Sequence, residues 1–342
     1  MKNVYLGHST AQWYWLHAKN AAETLKTQPH RRTIASAATC ERDIACALGD
    51  TLFSRAGIKL DLITSCTGRR SNEAIAFHYF NGALPARSFV QLTPTIFMAS
   101  PELSFVQAAR ELSLPRLIHY GCALCGNYVL DEASPWGVLP RPAISTRRSL
   151  ASFVEECDGL TGIKQARRAL PFILEKSRSP RESSAGLLIS LPYKHGGKAL
   201  GHLELNRRID IPQKLQNLTD RSFFVADFFW DGKTVAAEYD SDVAHSGDAP
   251  RMTDAIKRNV LPLMGFTPFS FTKMQVDIEE EMDKSCEALC MLLGAKTRQK
   301  LPGDYEQRKT KLRHELLACA KQSAFDGSVG LKLPEPAKGA NP

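Results

Sequence analysis

No run of about 20 apolar residues occurs in this chain of 342, so no membrane-spanning helix is expected. The opening MKNVYLGHSTAQWYW has no apolar core of signal-peptide length, and the chain reads as cytosolic (cytoplasmic). No internal repeat is apparent. Residues 194–201 (KHGGKALG) are basic and glycine-rich but lack the spacing of a phosphate-binding P-loop. Nine cysteines are present, yet only Cys122 and Cys125 form a C-x-x-C, and no second pair stands at zinc-ribbon spacing. In a cytosolic chain of this length they are expected reduced and mostly buried. Cys286 and Cys290, four apart in a helical pattern, read as core positions.

What is present suffices for real cores: 43% of residues are hydrophobic, and the length allows two ordinary domains. The net charge of +8 and pI near 9.0 permit a polyanionic partner without demonstrating one. The pattern is α/β throughout. Strands are expected at 58–66, 87–92 and 95–99. Ser100-Pro101-Glu102 opens a helix to about 113, with serine as cap and proline in the first turn. A helix follows at 115–125. Residues 131–145 carry three prolines with little periodicity and read as a linker. The expected division is an N-terminal α/β domain at 1–145, a second domain at 146–330 and a disordered tail at 331–342. In the second half, helices are expected at 148–157, 162–176, 179–191 and 248–264. A strand at 266–271 is demoted toward an edge by Pro268. Thr272-Lys273-Met274-Gln275 reads as a capping box for one long helix to about 293, and 298–322 as a charged helix.

Residues 221–242 (RSFFVADFFWDGKTVAAEYDSD) concentrate the chemistry. Two apolar runs flank Asp231-Gly232, the signature of a two-residue hairpin turn in which both central residues need positive φ. That turn sets Trp230 opposite Lys233 and Asp227 opposite Ala236. Asp227, Glu238 and Asp240 then share one face, with Asp227 and Glu238 diagonal neighbours roughly 7–8 Å apart. Like charges on an apolar hairpin are costly unless a hard cation joins them. Phosphodiester hydrolysis uses carboxylates in that way, to hold Mg²⁺ or Mn²⁺. Asp242 has the right parity but reads as a solvated acid past the strand end.

Around the hairpin stand further candidates. Glu182 on the preceding helix is either a site acid or the capping partner of Ser179, and the two roles can coexist. His245 could position water or carry a proton, or be a solvated loop residue. Arg251, Lys257 and Arg258 lie on the next helix and could hold phosphate, as could Lys194, His195 and Lys198 in the glycine-rich loop; solvated basic faces explain them equally. His8, His78 and His119 show no partner in the sequence and read as structural.

The order SPRES (179–183), VADFFWDGKTVAAEYDSDVAH (225–245) and DAIKRNVLPLMGFTPFSFT (254–272) resembles the very-short-patch-repair-like branch of the PD-(D/E)XK endonuclease superfamily. The resemblance covers about a third of the chain. It implies a mixed sheet flanked by helices, with Asp227 and Glu238 as metal ligands and Asp240 in the position of the superfamily's lysine. It also implies Glu182 as the helix acid and His245 as an auxiliary base or acid. FMASPELSFVQAARELSLPRLIHYG (97–121) is similar to antitoxin-like regulators of abortive-infection type IV systems, although no winged helix is visible at the N-terminus. Two functions follow: a Mg²⁺-dependent endonuclease acting on nucleic acid, DNA before RNA, or a non-catalytic toxin–antitoxin-type regulator that keeps the fold and binds DNA or a protein partner.

Overall fold

The computed structural model describes residues 2–38, 41–48, 58–157, 159–240, 248–295, 301 and 303–320, with the backbone alone given at 41, 42, 248–254 and 320. A six-stranded mixed sheet has the order β2 (His30–Arg31), β5 (Phe89–Gln91), β6 (Ile96–Ala99), β1 (Val4–Leu6), β3 (Leu60–Thr64), β4 (Ile75–Tyr79). β1 is parallel to β6 and antiparallel to β3. Its apolar strands are buried, as strands covered on both faces require. Helices α1 (His8–His17), α2 (Ala21–Thr27) and α3 (Glu41–Leu48) leave this sheet early. α4 (Pro101–Glu111) follows β6, started as expected by Ser100, whose hydroxyl accepts from Leu103 N at 3.2 Å. α5 (Leu114–Leu124) packs beside it.

The segment expected as a linker is instead packed. β7 (Tyr128–Leu130) and β8 (Val138–Pro140) pair antiparallel, and the buried Arg141 donates through Nη1 to the carbonyls of Trp15 at 2.6 Å and Ala18 at 3.2 Å. α6 (Arg147–Glu156) and α7 (Ile163–Ala169) lie against α4. α7 ends short of the expected 176, because Pro171 has no N–H to extend the ladder and a 3₁₀ turn forms at Leu170–Phe172. One continuous apolar core takes side chains from Val4 to Leu316 and so draws on both halves of the chain.

The second sheet has the order β12 (Thr267–Thr272), β11 (Val235–Asp240), β10 (Phe223–Trp230), β9 (Leu203–Asp210). β9, β10 and β11 form an antiparallel meander, and β12 returns parallel to β11 through α9 (Asp248–Leu263). α8 (Pro180–Ser190) precedes the meander. Leu203, Leu205, Phe228, Trp230, Val235 and Phe271 join the main core, while Phe224, Ala226, Ala236, Val260 and Leu261 make a small second one. β12 is the edge strand that Pro268 requires.

The helix expected from 273 to 293 is two: α10 (Lys273–Asp277), with the expected capping box, and α11 (Glu279–Leu293). Ile278 between them is extended. Three consecutive glutamates at 279–281 favour a helix start there, through attraction to the positive helix end. Arg313 on α12 (Tyr305–Ala320) takes up carbonyls released at the break, donating to Val276 O at 2.9 Å and Asp277 O at 3.2 Å. Among the described residues no helix is long and apolar enough to cross a membrane. Cys122, Cys125, Cys286 and Cys290 are free and buried. Burial pushes the Cys122 thiol up to about 12 and Cys125 upward as well, which suits core residues.

Candidate acidic site at a strand fork

The hairpin register differs from the expected one. Phe228 pairs with Ala237 and Phe229 with Ala236, so the loop is the four residues 231–234, and Asp227 comes opposite Glu238 rather than diagonal to it. The reason is local: Gly232 has φ of 70°, but Asp231 is not in the positive-φ region that the two-residue turn demands of both positions. Lys233 N closes the turn on Trp230 O at 3.0 Å. A shift by two residues leaves each side chain on its face, so the gathering of acids survives.

β10 and β11 pair only at those two positions, and beyond them side chains take over from the ladder. The Asp227 carboxylate accepts Tyr239 N at 2.9 Å. The carbonyl of Val225 accepts from the ammonium of Lys257 on α9. Glu238, next along β11, forms an ion pair with the same ammonium at 2.6 Å. Asp227 thus sits at a fork, with one neighbouring strand opened around it.

The other neighbour is β9. Its pairing with β10 runs from Phe223–Asp210 to Trp230–Leu203 but skips the Asp227–Asn206 position. Asn206 has φ of 50°, left-handed backbone inside a strand, a conformation that asparagine tolerates better than most residues. The twist turns its amide toward the helix before the meander. Nδ2 donates to Glu182 at 2.9 Å and to Lys176 O at 3.0 Å.

Glu182 is buried, 5% exposed, at the N-terminus of α8. Ser179 caps that helix, accepting Glu182 N at 3.1 Å. The reciprocal half of a capping box is not made: the Glu182 carboxylate accepts Arg178 N and Asn206 Nδ2 instead. Capping therefore does not account for this acid.

The electrostatics follow from crowding. Burial, then the Asp227 charge, pushes the Glu182 carboxyl up to about 8. Burial, then Asp227 again, pushes Glu238 up to about 8 against the pull of Lys257. Asp227 itself is raised by burial, against the Tyr239 amide, Lys257 and Arg178. Lys257 acts on Glu238 and Asp227, and Arg178 on Asp227 and Glu182, so three crowded carboxyl groups share two cations and the site is short of positive charge.

The other expected residues fall as follows. Asp240 ends β11, is half-buried and bears on the charge of both Asp227 and Glu238. His245 and Asp242 lie outside the described residues, as do the Arg251 side chain and the tail. Lys257, expected on a phosphate-facing surface, is buried and belongs to the acid cluster. Lys198, expected at nucleic-acid backbone, is drawn inward to Asp283 at 2.6 Å, over the Tyr305 ring. Lys194 and Arg258 are exposed. Asn206 and the site role of Lys257 were not foreseen. Asn206, followed directly by the polar Arg207-Arg208 pair, carries no distinguishing signal in the sequence.

All three acids offer hard oxygen donors, short of positive charge, which suits Mg²⁺ or Mn²⁺. Among the described residues, however, no group of three or more His, Cys, Asp or Glu side chains is placed to hold a metal ion. Mg²⁺ commonly takes only one or two carboxylates and fills the rest of its shell with water and substrate phosphate. Comparison with known protein families, with curated proteins and with solved structures finds no match.

Proposed function

We propose that the protein is a Mg²⁺- or Mn²⁺-dependent endonuclease of nucleic acid, DNA before RNA, built on a PD-(D/E)XK-like arrangement of α8, the β9–β10–β11 meander, α9 and β12. The observation that carries this reading is the convergence of Asp227, Glu238, Glu182 and Lys257 on one strand fork. The element order agrees with the one the sequence resemblance implies. Asp227 and Glu238 would hold the metal. When bound, the metal supplies Lewis acidity at the phosphate and a water of lowered pKa. Lys257 provides the fixed positive charge that no residue next to Glu238 in sequence supplies. Glu182, with its raised pKa, can store a proton near neutral pH. Asn206 and Arg178 N fix the orientation of that carboxyl.

A second reading is a regulator that keeps the fold without cleaving. The Lys257–Glu238 pair at 2.6 Å favours it, because a buried ammonium can satisfy the acids in a metal's place. Plasmid cleavage separates the two. Under the first reading, Asp227→Ala and Glu238→Ala abolish Mg²⁺-dependent cleavage and leave DNA mobility shifts intact. Absence of cleavage by the wild type, over varied DNA and RNA with either metal, refutes it and selects the regulator.

A further inference from the structure

The sequence offered no partner for His8 or His78, and the structure corrects that. His78 Nε2 meets Asp61 Oδ1 at 2.6 Å, and His8 Nδ1 meets Glu111 Oε1 at 3.0 Å. The two imidazoles stack with centroids 3.7 Å apart and planes 16° from parallel. Ser9 Oγ donates to the other oxygen of Asp61. Because serine bonds the aspartate directly and no histidine, this is not a nucleophile–base relay. Burial opposes ionisation of Asp61, yet the hydrogen bonds from His78 and Ser9 prevail and hold its carboxyl below the ordinary range. His119, by contrast, is the expected structural histidine: fully buried, with Nε2 on Pro180 O at 3.1 Å and its pKa lowered to about 4 by burial.

The stacked pair stands where β1 ends. Gly7 is packed so closely that a Cβ would lie 2.5 Å from Ile63 Cδ1 and 3.0 Å from Gln107 Oε1. His8 then opens α1 with φ of 49°, and its backbone N–H donates to Gln107 Oε1 at 2.9 Å. A non-glycine residue held in left-handed backbone by its surroundings is a conformation that functional sites accumulate. His8 and His78 line one side of a cavity of about 490 Å³, and Phe77, Phe80, Phe89 and Leu103 give it an aromatic and apolar portion beside the polar Gln107 and Thr161. Arg110 also lines it; it is exposed and has no carboxylate partner among the described residues. Each imidazole commits one nitrogen to a carboxylate.

We propose that this cavity, remote in sequence from the acidic fork, binds a small, flat, apolar molecule bearing one anionic group. The ring system would lie among the phenylalanines, and the anion would meet Arg110. Three features argue for this class. The volume is that of small-molecule sites, whose walls are mostly apolar with a few convergent polar groups. The carboxylates nearby, Asp61 and Glu111, are already engaged by the histidines, and neither lines the cavity. The unspent charge at its rim is the Arg110 cation, which suits an anion in a planar hydrogen-bonding geometry.

The test is isothermal titration of the full chain with 2-naphthoate and with its neutral counterpart 2-naphthamide. Expected is saturable one-to-one binding of the naphthoate, at least tenfold weaker binding of the amide, and the same weakening in Arg110→Gln, an exposed change that leaves the melting temperature intact. Val106→Phe, which fills the cavity from α4, should abolish binding; Arg110→Gln supplies the answer if that variant fails to fold. Failure of naphthoate to saturate overturns the proposal. So does equal binding of acid and amide, or binding unchanged in both variants.

Discussion

Replacing Glu182 by glutamine should stabilise the protein at pH 8 and leave it nearly unchanged at pH 5. Glutamine has the shape of the neutral acid. Its carbonyl oxygen can keep both hydrogen bonds that one Glu182 oxygen accepts, from Arg178 N and Asn206 Nδ2. Its amide replaces the oxygen on the Asp227 side and removes a like-charge contact. The sign follows from proton linkage. A carboxyl raised from 4.5 to about 8 on folding binds more protons in the folded chain than in the unfolded one across that window, so stability falls as pH climbs through it. At about 1.36 kcal/mol per pH unit, this one group costs the fold at most about 4 kcal/mol at pH 8. Glu182 also lies in the first turn of α8, where a negative charge is favoured by about 0.3–1 kcal/mol, and the substitution forfeits that term. The expected net gain at pH 8 is about 1–3 kcal/mol, and at pH 5 about zero. Urea denaturation of both proteins at the two pH values reads the difference directly. Equal destabilisation at both pH values would falsify the reasoning, since Glu182 would then be an ionised, favourably placed cap.

Lys257→Met removes the ammonium shared by Glu238 and the Val225 carbonyl, and should cost about 1–3 kcal/mol at pH 7, the penalty of a buried carbonyl left without its donor, with a further loss above pH 8 where the wild-type Glu238 ionises against Lys257; denaturant midpoints at pH 7 and pH 9 check this. Gly7→Ala should cost about 1–3 kcal/mol in thermal unfolding, because its methyl group meets Ile63 Cδ1 at 2.5 Å in a packed core; an unchanged melting temperature would mean that the Ile63 side chain turns aside into free space.

Much of this was legible beforehand, for reasons that differ between elements. Ser100 and Thr272 announce helix starts through short-range hydrogen bonds that a few residues encode, and both helices start as read, although the second breaks at Ile278. The gathering of Asp227, Glu238 and Asp240 was visible because side-chain alternation along strands outlasts an error of two in register. The register itself was not, because it depends on whether Asp231 adopts positive φ. Asn206 and Lys257 were hidden for another reason. Each reaches the acids across a gap in sequence, Asn206 spanning 24 residues to Glu182 and Lys257 meeting Glu238 from the following helix. The same holds for His78 and Asp61, or His8 and Glu111, whose contacts only sheet order and helix packing create.

The helix α12 sets an order in time as well as in space. Ser184 on α8 donates to Leu316 O at 2.8 Å, Tyr305 OH donates to Gly197 O at 3.3 Å, and Ser113 hydrogen-bonds Glu315. Leu312 and Leu316 fill the core beneath the helix that carries Glu182. While the chain is being synthesised, every acid of the fork is already translated before residues 305–320 exist, and α8, which packs on α5 and β9, gains its other support only when they arrive. A chain halted earlier would carry the site's residues without one of the elements that hold α8 in place.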